Sequence, residues 1–114
     1  MATIRPVSWI KAARKDFEDF PAPVQMDALR ALAVAAGGRK ADHVKPLKGF
    51  ESGVMEIVLR HRRDAFRVVY AVQIGDDLWV LHAFQKKSKQ GIKTPQYEID
   101  LVRDRLKRLK EMLA

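Results

Sequence analysis

Residues 54–95 decide the fold, and they read VMEIVLRHRRDAFRVVYAVQIGDDLWVLHAFQKKSKQGIKTP. Three strand-like runs lie in this stretch, separated by the short connections RRDA and IGDDL. The Gly-Asp pair of the second connection is a hairpin signal. Apolar residues alternate in the first two runs, whereas the third run is apolar nearly throughout and therefore indicates a central strand. The stretch predicts a small antiparallel sheet.

The apolar residues of the first two strands predict how these strands pair. We expect Arg60 to lie opposite Arg67 and Ile57 to face Tyr70, because this register puts every strong hydrophobe on one face. A slip of one residue would destroy that sorting. The other face of the sheet would then carry Glu56, Arg60 and Arg67 together.

The third strand extends both faces. A two-residue turn at Gly75-Asp76 would place Trp79, Leu81 and Ala83 on the core face. The opposite face would then receive three residues that join Arg67, namely His82, Phe84 and Lys86.

The segment before the sheet predicts a strand and two helices. Residues 4–10 are expected to form a short strand, which Pro6 restricts to an edge or to the strand start. A helix follows over residues 11–20 and stops at Pro21. A second helix runs from about Pro23 to Ala36, where glycines end it. Together the two form a helical hairpin.

The segments directly before and after the three strands predict a loop and a last helix. Residues 37–53 show no period and are interpreted as a basic loop. Thr94 as N-cap and Pro95 at the first helical position are a common pairing for the start of a helix. The chain is therefore expected to be a single α+β domain over residues 1–114, with an N-terminal helical hairpin, a small antiparallel sheet and a C-terminal helix.

Composition restricts the function more than the fold. The 114 residues carry a net charge of +8 and contain no cysteine. A basic domain points to nucleic acid or a nucleoprotein as partner. Without cysteine there are no disulfides, no thiolate metal ligands and no Cys nucleophile. No run reaches the roughly 18 apolar residues of a membrane span, and no signal-peptide pattern is present. We therefore expect a cytoplasmic protein.

A cluster of cations is the strongest functional feature of the sequence. Residues 85–94, QKKSKQGIKT, hold four lysines and no acid. Such lysines can neutralise phosphates without reading sequence, although a solvated loop is the simpler alternative. The case for a site is stronger because Arg60, Arg67 and Lys86 are expected close together on a rigid sheet. Their mutual repulsion requires an acid or a bound anion, and Glu56 is the only acid expected nearby.

Of the three histidines, His82 alone is placed on the cationic face. An imidazole there could act as general acid or base, and a packed strand histidine is the equally simple alternative. The three histidines show no metal-ligand spacing. No Gly-rich phosphate loop is present either.

Two segments resemble a known family. LKGFESGVMEIVLRHRRDAFRVVY, followed by LHAFQKKSKQGIKTPQYEI, resembles toxins of bacterial type II toxin–antitoxin modules, closest to the phage-derived Gp49-like and HigB-like branch of the RelE/ParE superfamily. The resemblance covers about residues 45–103. The matching elements are Leu47-x-Gly49, Glu56, Arg60, Phe66-Arg67-x-x-Tyr70, His82-x-Phe84-x-Lys86-Lys87 and Thr94-Pro95.

The resemblance implies a RelE-like fold and an activity. The implied activity is that of an mRNA interferase, an endoribonuclease that uses the 2′-hydroxyl of RNA, without metal or other cofactor, in most members on the ribosome. Translation and growth would be inhibited. The implied partner is a small antitoxin, often with a helix-turn-helix, that blocks the site and represses the operon. Operator DNA would be contacted only through the antitoxin, and no membrane is involved.

The resemblance also implies site residues. Arg67 and Lys86 match positions that contact the scissile phosphate, and Arg60 and Lys87 would support them. For the general base we expect His82 or Glu56, with Lys86 as possible acid. The residues expected to bind RNA are Lys87, Lys89, Lys93 and Lys48.

The chain departs from the best-known ribosome-dependent members, which carry Lys where it has Glu56 and Val58. Two other functions stay open. One is a non-enzymatic toxin of the same fold that binds a target such as DNA gyrase. The other is a basic nucleic-acid-binding module outside any toxin module.

Overall fold

The computed structural model describes residues 4–51, 53–86 and 93–113. Within these ranges the five strands form one sheet in the order β1-β5-β4-β3-β2. The elements, in chain order, are β1 (Val7–Trp9), α1 (Lys11–Glu18), α2 (Ala22–Ala36), β2 (Val44–Pro46), β3 (Val54–His61), β4 (Asp64–Ile74), β5 (Asp77–Lys86) and α3 (Gln96–Leu113). None of the described helices has the length and apolar character needed to span a membrane.

The predicted α+β class is confirmed, with a helical hairpin before the sheet and a helix after it. Strands β3, β4 and β5 form the expected antiparallel meander. The residues 4–10 strand is present as the edge strand β1, but it pairs with β5 in parallel. The sheet is therefore antiparallel except at this edge. The α1–α2 hairpin and β2–β4 lie between the two strands in the chain and provide the long crossover that a parallel pair needs.

The register between β3 and β4 differs from the prediction by two residues. Val58, not Arg60, lies opposite Arg67, and Val68 lies opposite Ile57. The turn closes at Arg62-Arg63, with Arg62 at φ 57°. The RRDA connection contains no glycine that would mark the turn position, so the sequence does not locate it. A shift of two residues keeps each side chain on its face, and the predicted sorting of Glu56 and Arg67 onto the face opposite the apolar residues holds.

The register between β4 and β5 changes at two irregularities. The Gly75-Asp76 turn forms as predicted, with Ile74 opposite Asp77. Tyr70 then pairs with Val80 and Val69 with His82, so Leu81 is an extra residue on β5. Each extra residue breaks the two-residue alternation of a strand.

The prediction that Trp79 and Leu81 lie on the same face as Ala83 is wrong for this reason. Both pack with the second apolar cluster, on the α3 side of the sheet, while Ala83 belongs to the first. The second cluster also holds Val69 and Val102. Burial on both faces explains why β5 is apolar nearly throughout its length.

The helical hairpin covers the other face of the sheet. Phe17 of α1 and Leu32 of α2 are buried there against Ile57, Val68 and Tyr70. Helix α2 begins at Ala22 rather than Pro23 and ends at Ala36 as predicted. The sheet thus lies between two helical layers, and residues on its two faces reach different helices.

Strand β2 is the element that the sequence did not predict. Val44 pairs with Ile57 and Lys45 with Glu56, within a segment that was expected to be a loop. Three residues that end in a proline are too short to show a strand period. The short strand matters because it places Lys45 beside Glu56.

Candidate functional site

The charged residues of the candidate site lie on the α3 side of the sheet, in two cross-strand rows. In the first row Lys45, Glu56, Val69 and His82 lie side by side on β2, β3, β4 and β5. Directly opposite residues of neighbouring strands share a face. The row therefore joins a cation, an acid and an imidazole on one surface, through a residue, Lys45, that the sequence did not point to.

The second row contains two cations with a small residue between them. Arg60 lies opposite Ala65, and Ala65 lies opposite Lys86. Arg67 occupies the position between the two rows, opposite Val58 and Phe84. The structure thus brings Arg60, Arg67 and Lys86 onto the same face, as the sequence predicts.

Glu56 and Arg67 form a buried ion pair at the centre of this face. Arg67 Nη1 donates a hydrogen bond to Glu56 Oε1 at 2.9 Å. Glu56 is 0% exposed and Arg67 2% exposed. A buried carboxylate needs such partners because an uncompensated charge in the interior is costly. Arg67 is therefore engaged with Glu56 rather than open to solvent.

The second oxygen of Glu56 is held by a residue from the far end of the chain. The Thr94 hydroxyl donates to Glu56 Oε2 at 2.6 Å. Helix α3 begins two residues later, at Gln96. The side chain of Thr94 binds the sheet instead of capping the helix as predicted, and it ties the start of α3 to β3. Lys45 Nζ lies 3.9 Å from Glu56 Oε1 and adds a more distant positive charge.

Lys86 is a buried cation near this ion pair. Lys86 is 7% exposed, whereas Arg60 is exposed. Burial lowers the pKa of Lys86, the positive charges of Arg67, Lys45 and Arg60 lower it further, and Glu56 opposes the change. The ammonium of Lys86 is consequently a stronger acid than that of an ordinary lysine.

His82 is bound on both sides of its ring. Its Nε2 lies 2.9 Å from Glu98 Oε1, and Arg105 Nη1 donates to its Nδ1 at 3.1 Å. The tautomer that fits both contacts carries the proton on Nε2. Burial lowers the pKa of His82, while Glu98 opposes the shift. The ring also stacks on Phe84, with centroids 4.9 Å apart. His82 shares the face of Glu56 but contacts α3 rather than the cations.

A cavity of about 330 Å³ opens beside Glu56. Its polar lining consists of Glu56, Thr94 and the three lysines Lys45, Lys48 and Lys93. Two of the four predicted RNA-binding lysines therefore border one cavity. The other two, Lys87 and Lys89, lie outside the described residues. A cavity with lysines at its walls and an acid and a hydroxyl at its floor is suited to a phosphate-bearing ligand.

Sequence reasoning missed Lys45, Glu98 and Arg105. Lys45 lies on a strand too short to be recognised, and Glu98 and Arg105 belong to a helix whose alternating acids and bases most simply indicate a solvated face. Glu98 stands in the first turn of α3, where an acid is common. Only the packing of α3 on β5 shows that it binds a histidine.

The acidic and imidazole groups do not form a metal centre in the part of the chain that the structure describes. No group of three or more His, Asp or Glu residues in these ranges is arranged to hold an ion.

With this geometry in place, comparisons with known proteins identify the class. The family model described as "Phage derived protein Gp49-like (DUF891)" matches residues 15–107. The chain therefore belongs to the Gp49-like family, as the sequence motifs indicated, and its fold is RelE-like.

Solved structures that are similar to this chain include the following two. A mutant of the E. coli toxin RelE in the free state is 19% identical, with a TM-score of 0.62 over 95% of this chain and 98% of that chain. The toxin–antitoxin complex RelBE2 from Mycobacterium tuberculosis is 20% identical, with a TM-score of 0.48 over 77% of this chain and 98% of that chain. No curated protein matches the chain in sequence. At this identity the RelE structure establishes the fold.

Proposed function

We propose that this protein is the toxin of a bacterial type II toxin–antitoxin module and acts as an endoribonuclease on mRNA. The observation that carries the proposal is the lysine-walled cavity beside the buried Glu56, on the sheet face that also holds Arg67 and Lys86. Membership of the Gp49-like family and the RelE-like fold are consistent with it. The net charge of +8 favours a polyanionic substrate.

Substrate binding is assigned to the lysines at the cavity. Lys48 and Lys93 are exposed, and Lys45 is partly exposed with its ammonium near Glu56. Such groups neutralise backbone phosphates without reading the bases. Selection of the cleaved position then depends on how the ribosome presents the mRNA, which fits the ribosome dependence that the family resemblance implies.

The proposed reaction uses the nucleophile that RNA itself carries. The 2′-hydroxyl attacks the adjacent phosphorus, and the bond from phosphorus to the 5′-oxygen breaks. The products are a 2′,3′-cyclic phosphate and a 5′-hydroxyl end. The protein must accept the proton of the 2′-hydroxyl, stabilise the extra charge on the phosphorane and protonate the leaving oxygen.

Lys86 is assigned as the general acid. An effective catalytic acid has a pKa that lies closer to the operating pH than that of an ordinary lysine. Burial and the neighbouring Arg67 lower the pKa of Lys86 in this direction. Its proton would pass to the 5′-oxygen as the bond to phosphorus breaks.

Glu56 is favoured over His82 as the general base. Both groups already have partners, since Arg67 and Thr94 bind the oxygens of Glu56 and residues of α3 bind both ring nitrogens of His82. Of the two, Glu56 lines the cavity and His82 does not. Arg67 orients the Glu56 carboxylate and supplies positive charge where the phosphorane forms. Charge stabilisation of this kind contributes about 3–4 kcal/mol per donor. Arg60, exposed at the end of the second row, would support it.

A non-enzymatic toxin is the second candidate function, and one observation favours it. Glu56 and Arg67 form a hydrogen-bonded ion pair and are both buried. A structural ion pair would look the same. In that case the basic surface would bind a target such as DNA gyrase rather than cleave RNA.

The proposed partner is a small antitoxin, of a kind that often contains a helix-turn-helix. The complex would contact operator DNA only through this antitoxin. The positive net charge calls for an acidic segment in such a partner. The toxin and the antitoxin would act in the cytoplasm, where mRNA is translated.

The test is induced expression followed by mapping of RNA ends that carry a 5′-hydroxyl. We expect codon-phased cuts in the wild type and their loss, by about a hundredfold or more, in Lys86→Met. Lys107→Gln is the matched control because Lys107 is exposed on α3, away from the cavity. It should cut like the wild type.

Circular dichroism of each variant shows whether it is folded, and so distinguishes loss of catalytic activity from loss of the folded structure. Growth arrest with intact mRNA and broken DNA would contradict the nuclease and favour the non-enzymatic toxin. Equal cutting by the wild type and a folded Lys86→Met variant would contradict the role of Lys86.

A further inference from the structure

A second basic cavity lies on the opposite side of the sheet, beside the C-terminal end of α2. Its volume is about 330 Å³, and it is lined by Arg5, Ala35, Gly38, Arg39, Lys40, Met55, Tyr70 and Val72. This set, which we call the Tyr70 cavity, contains three cations and no carboxylate. Met55 and Tyr70 point away from the Glu56 face, because they alternate with Glu56 and Val69 along their strands. The Tyr70 cavity therefore does not depend on the proposed nuclease site.

The hydroxyl of Tyr70 is the most informative group in this cavity. Tyr70 is 1% exposed, and its hydroxyl makes no hydrogen bond to any side chain or backbone group within the described ranges. Burial raises its pKa, so the hydroxyl stays protonated and remains a donor at neutral pH. A buried hydroxyl usually has a partner, and one that borders a cavity without a protein acceptor is placed to donate to a ligand.

The three cations have a partial explanation within the protein. The negative end of the α2 dipole favours positive charge nearby, and α2 has no basic residue in its last turn. Lys40 Nζ donates to the Val44 carbonyl at 2.9 Å, and the Arg5 amide donates to the Ala36 carbonyl at 2.9 Å. The helix end accounts for cations in this region. It does not account for the Tyr70 hydroxyl that borders the same space.

We infer that the Tyr70 cavity binds a phosphate group, with Arg5, Arg39 and Lys40 neutralising its charge and the Tyr70 hydroxyl donating a hydrogen bond to it. An ammonium has three N–H donors, so Lys40 keeps two beyond its bond to Val44. Arg39 follows Gly38, whose φ of +88° turns the chain at the mouth of the cavity. Met55 and Val72 line the same cavity and offer an apolar surface to the sugar or base of a nucleotide attached to the phosphate.

The test is a titration of the full-length protein in phosphate-free buffer, followed by proton–nitrogen correlation spectra. Inorganic phosphate and adenosine 5′-monophosphate are the two probes. We expect saturable shifts at the amides of Gly38, Arg39 and Tyr70. A tighter complex with the nucleotide would identify a nucleotide phosphate as the ligand, and equal affinity would identify free phosphate.

Three variants decide whether the site is built as inferred. Arg39→Ala should weaken binding about tenfold or more, since hydrogen bonds to charged groups are worth about 1.5–3 kcal/mol. Tyr70→Phe keeps the ring and should weaken binding about threefold to tenfold. Arg14→Ala removes an exposed arginine of α1 and is the matched control for lost charge, with affinity expected within about twofold of the wild type.

Several results would overturn the inference. They are the absence of saturable shifts with either probe, shifts confined to Lys45 and its neighbours at the other cavity, equal weakening by Arg14→Ala and Arg39→Ala, and unchanged affinity in Tyr70→Phe. Loss of the proposed RNA cleavage leaves the inference intact, since the two sites lie on different faces.

Discussion

Arg67 Nη1 and Glu56 Oε1 are joined by a 2.9 Å hydrogen bond, although the two residues are not directly opposite each other in the sheet. Glu56 pairs with Val69, and Arg67 pairs with Val58. The bond is therefore diagonal, and the long guanidinium is needed to span it. It couples the acid and the central cation of the candidate site into one buried unit, which gives the first prediction.

Removing one member of the pair should lower the free energy of unfolding far more than removing both. Arg67→Met leaves the Glu56 carboxylate buried without its guanidinium, and we expect the free energy of unfolding to fall by about 3–5 kcal/mol. The free energy of unfolding should fall much less in the double variant Glu56→Leu/Arg67→Met, because neither charge of the pair is left without its partner. Urea unfolding monitored by circular dichroism measures both values.

The exposed pair Arg30–Asp27 provides the control for this prediction. Asp27→Ala should cost less than about 1 kcal/mol, as is usual for surface ion pairs. The single variants Glu56→Leu and Arg67→Met each lower the free energy of unfolding by a measurable amount. If the double variant lowers it by the sum of these two amounts, the two residues do not act as a unit.

Thr94→Val tests the link between β3 and the start of α3. The change keeps the shape of the side chain and removes the donor to Glu56 Oε2, so we expect a loss of about 1–3 kcal/mol in the free energy of unfolding. Ser8→Ala is the matched hydroxyl control, since Ser8 donates to the partly exposed Asp77 at 2.6 Å. Ser8→Ala should lower the free energy of unfolding by less, because water can replace the hydroxyl at this partly exposed position. Equal losses would argue against a special role for Thr94.

His82 predicts a pH dependence of stability. Burial lowers the pKa of His82 below its ordinary value of 6.5, so the unfolded chain binds a proton more readily than the folded one. The free energy of unfolding should therefore fall as the pH drops below about 6.5. In His82→Gln, the free energy of unfolding measured with urea should fall less as the pH is lowered from about 7 to about 5.5.

His43→Gln is the control for the pH experiment, because His43 is an exposed histidine outside the Glu98 and Arg105 contacts. We expect this variant to keep the wild-type pH dependence. An unchanged slope in His82→Gln, or an equal reduction in both variants, would show that another group causes the effect.

The lysines at the Glu56 cavity predict a salt dependence of RNA binding. Lys93→Gln should weaken binding of a short single-stranded RNA and reduce the slope of log affinity against log salt by about one unit or slightly less, since one phosphate contact is lost. Lys45→Gln should act in the same direction. Lys110→Gln, exposed near the end of α3, should leave the slope unchanged. Equal effects of all three would indicate binding by net charge alone.

Much of the fold was predictable because strand patterns are local. Alternation along β3 and β4 predicts that Glu56 and Arg67 lie on one face. The prediction is correct although the predicted register is wrong by two residues, because a shift of two residues keeps each side chain on its face. The Gly75-Asp76 turn was predictable from its glycine. The turn at Arg62-Arg63 carries no such marker and was placed one residue too late.

The bulge at Leu81 shows where pattern reading fails. An extra residue on β5 moves Trp79 and Leu81 to the α3 side, and nothing in LWVLHAF marks its position. The same packing places Glu98 and Arg105 around His82. A helix face that looks solvated in sequence becomes half of a buried polar network once α3 lies on β5.

The sequence by itself determined the strand-rich centre of the chain, the helices around it, and the face on which Glu56, Arg67 and Lys86 lie, because each depends on residues a few positions apart. Only the tertiary structure decided what these residues contact. Lys45 reaches Glu56 through a strand too short to recognise, and Thr94 reaches it from 38 residues away in the chain. The Tyr70 cavity likewise forms where Arg5, Arg39 and Tyr70 meet. Contacts between distant segments depend on how the layers pack, and no local period encodes them.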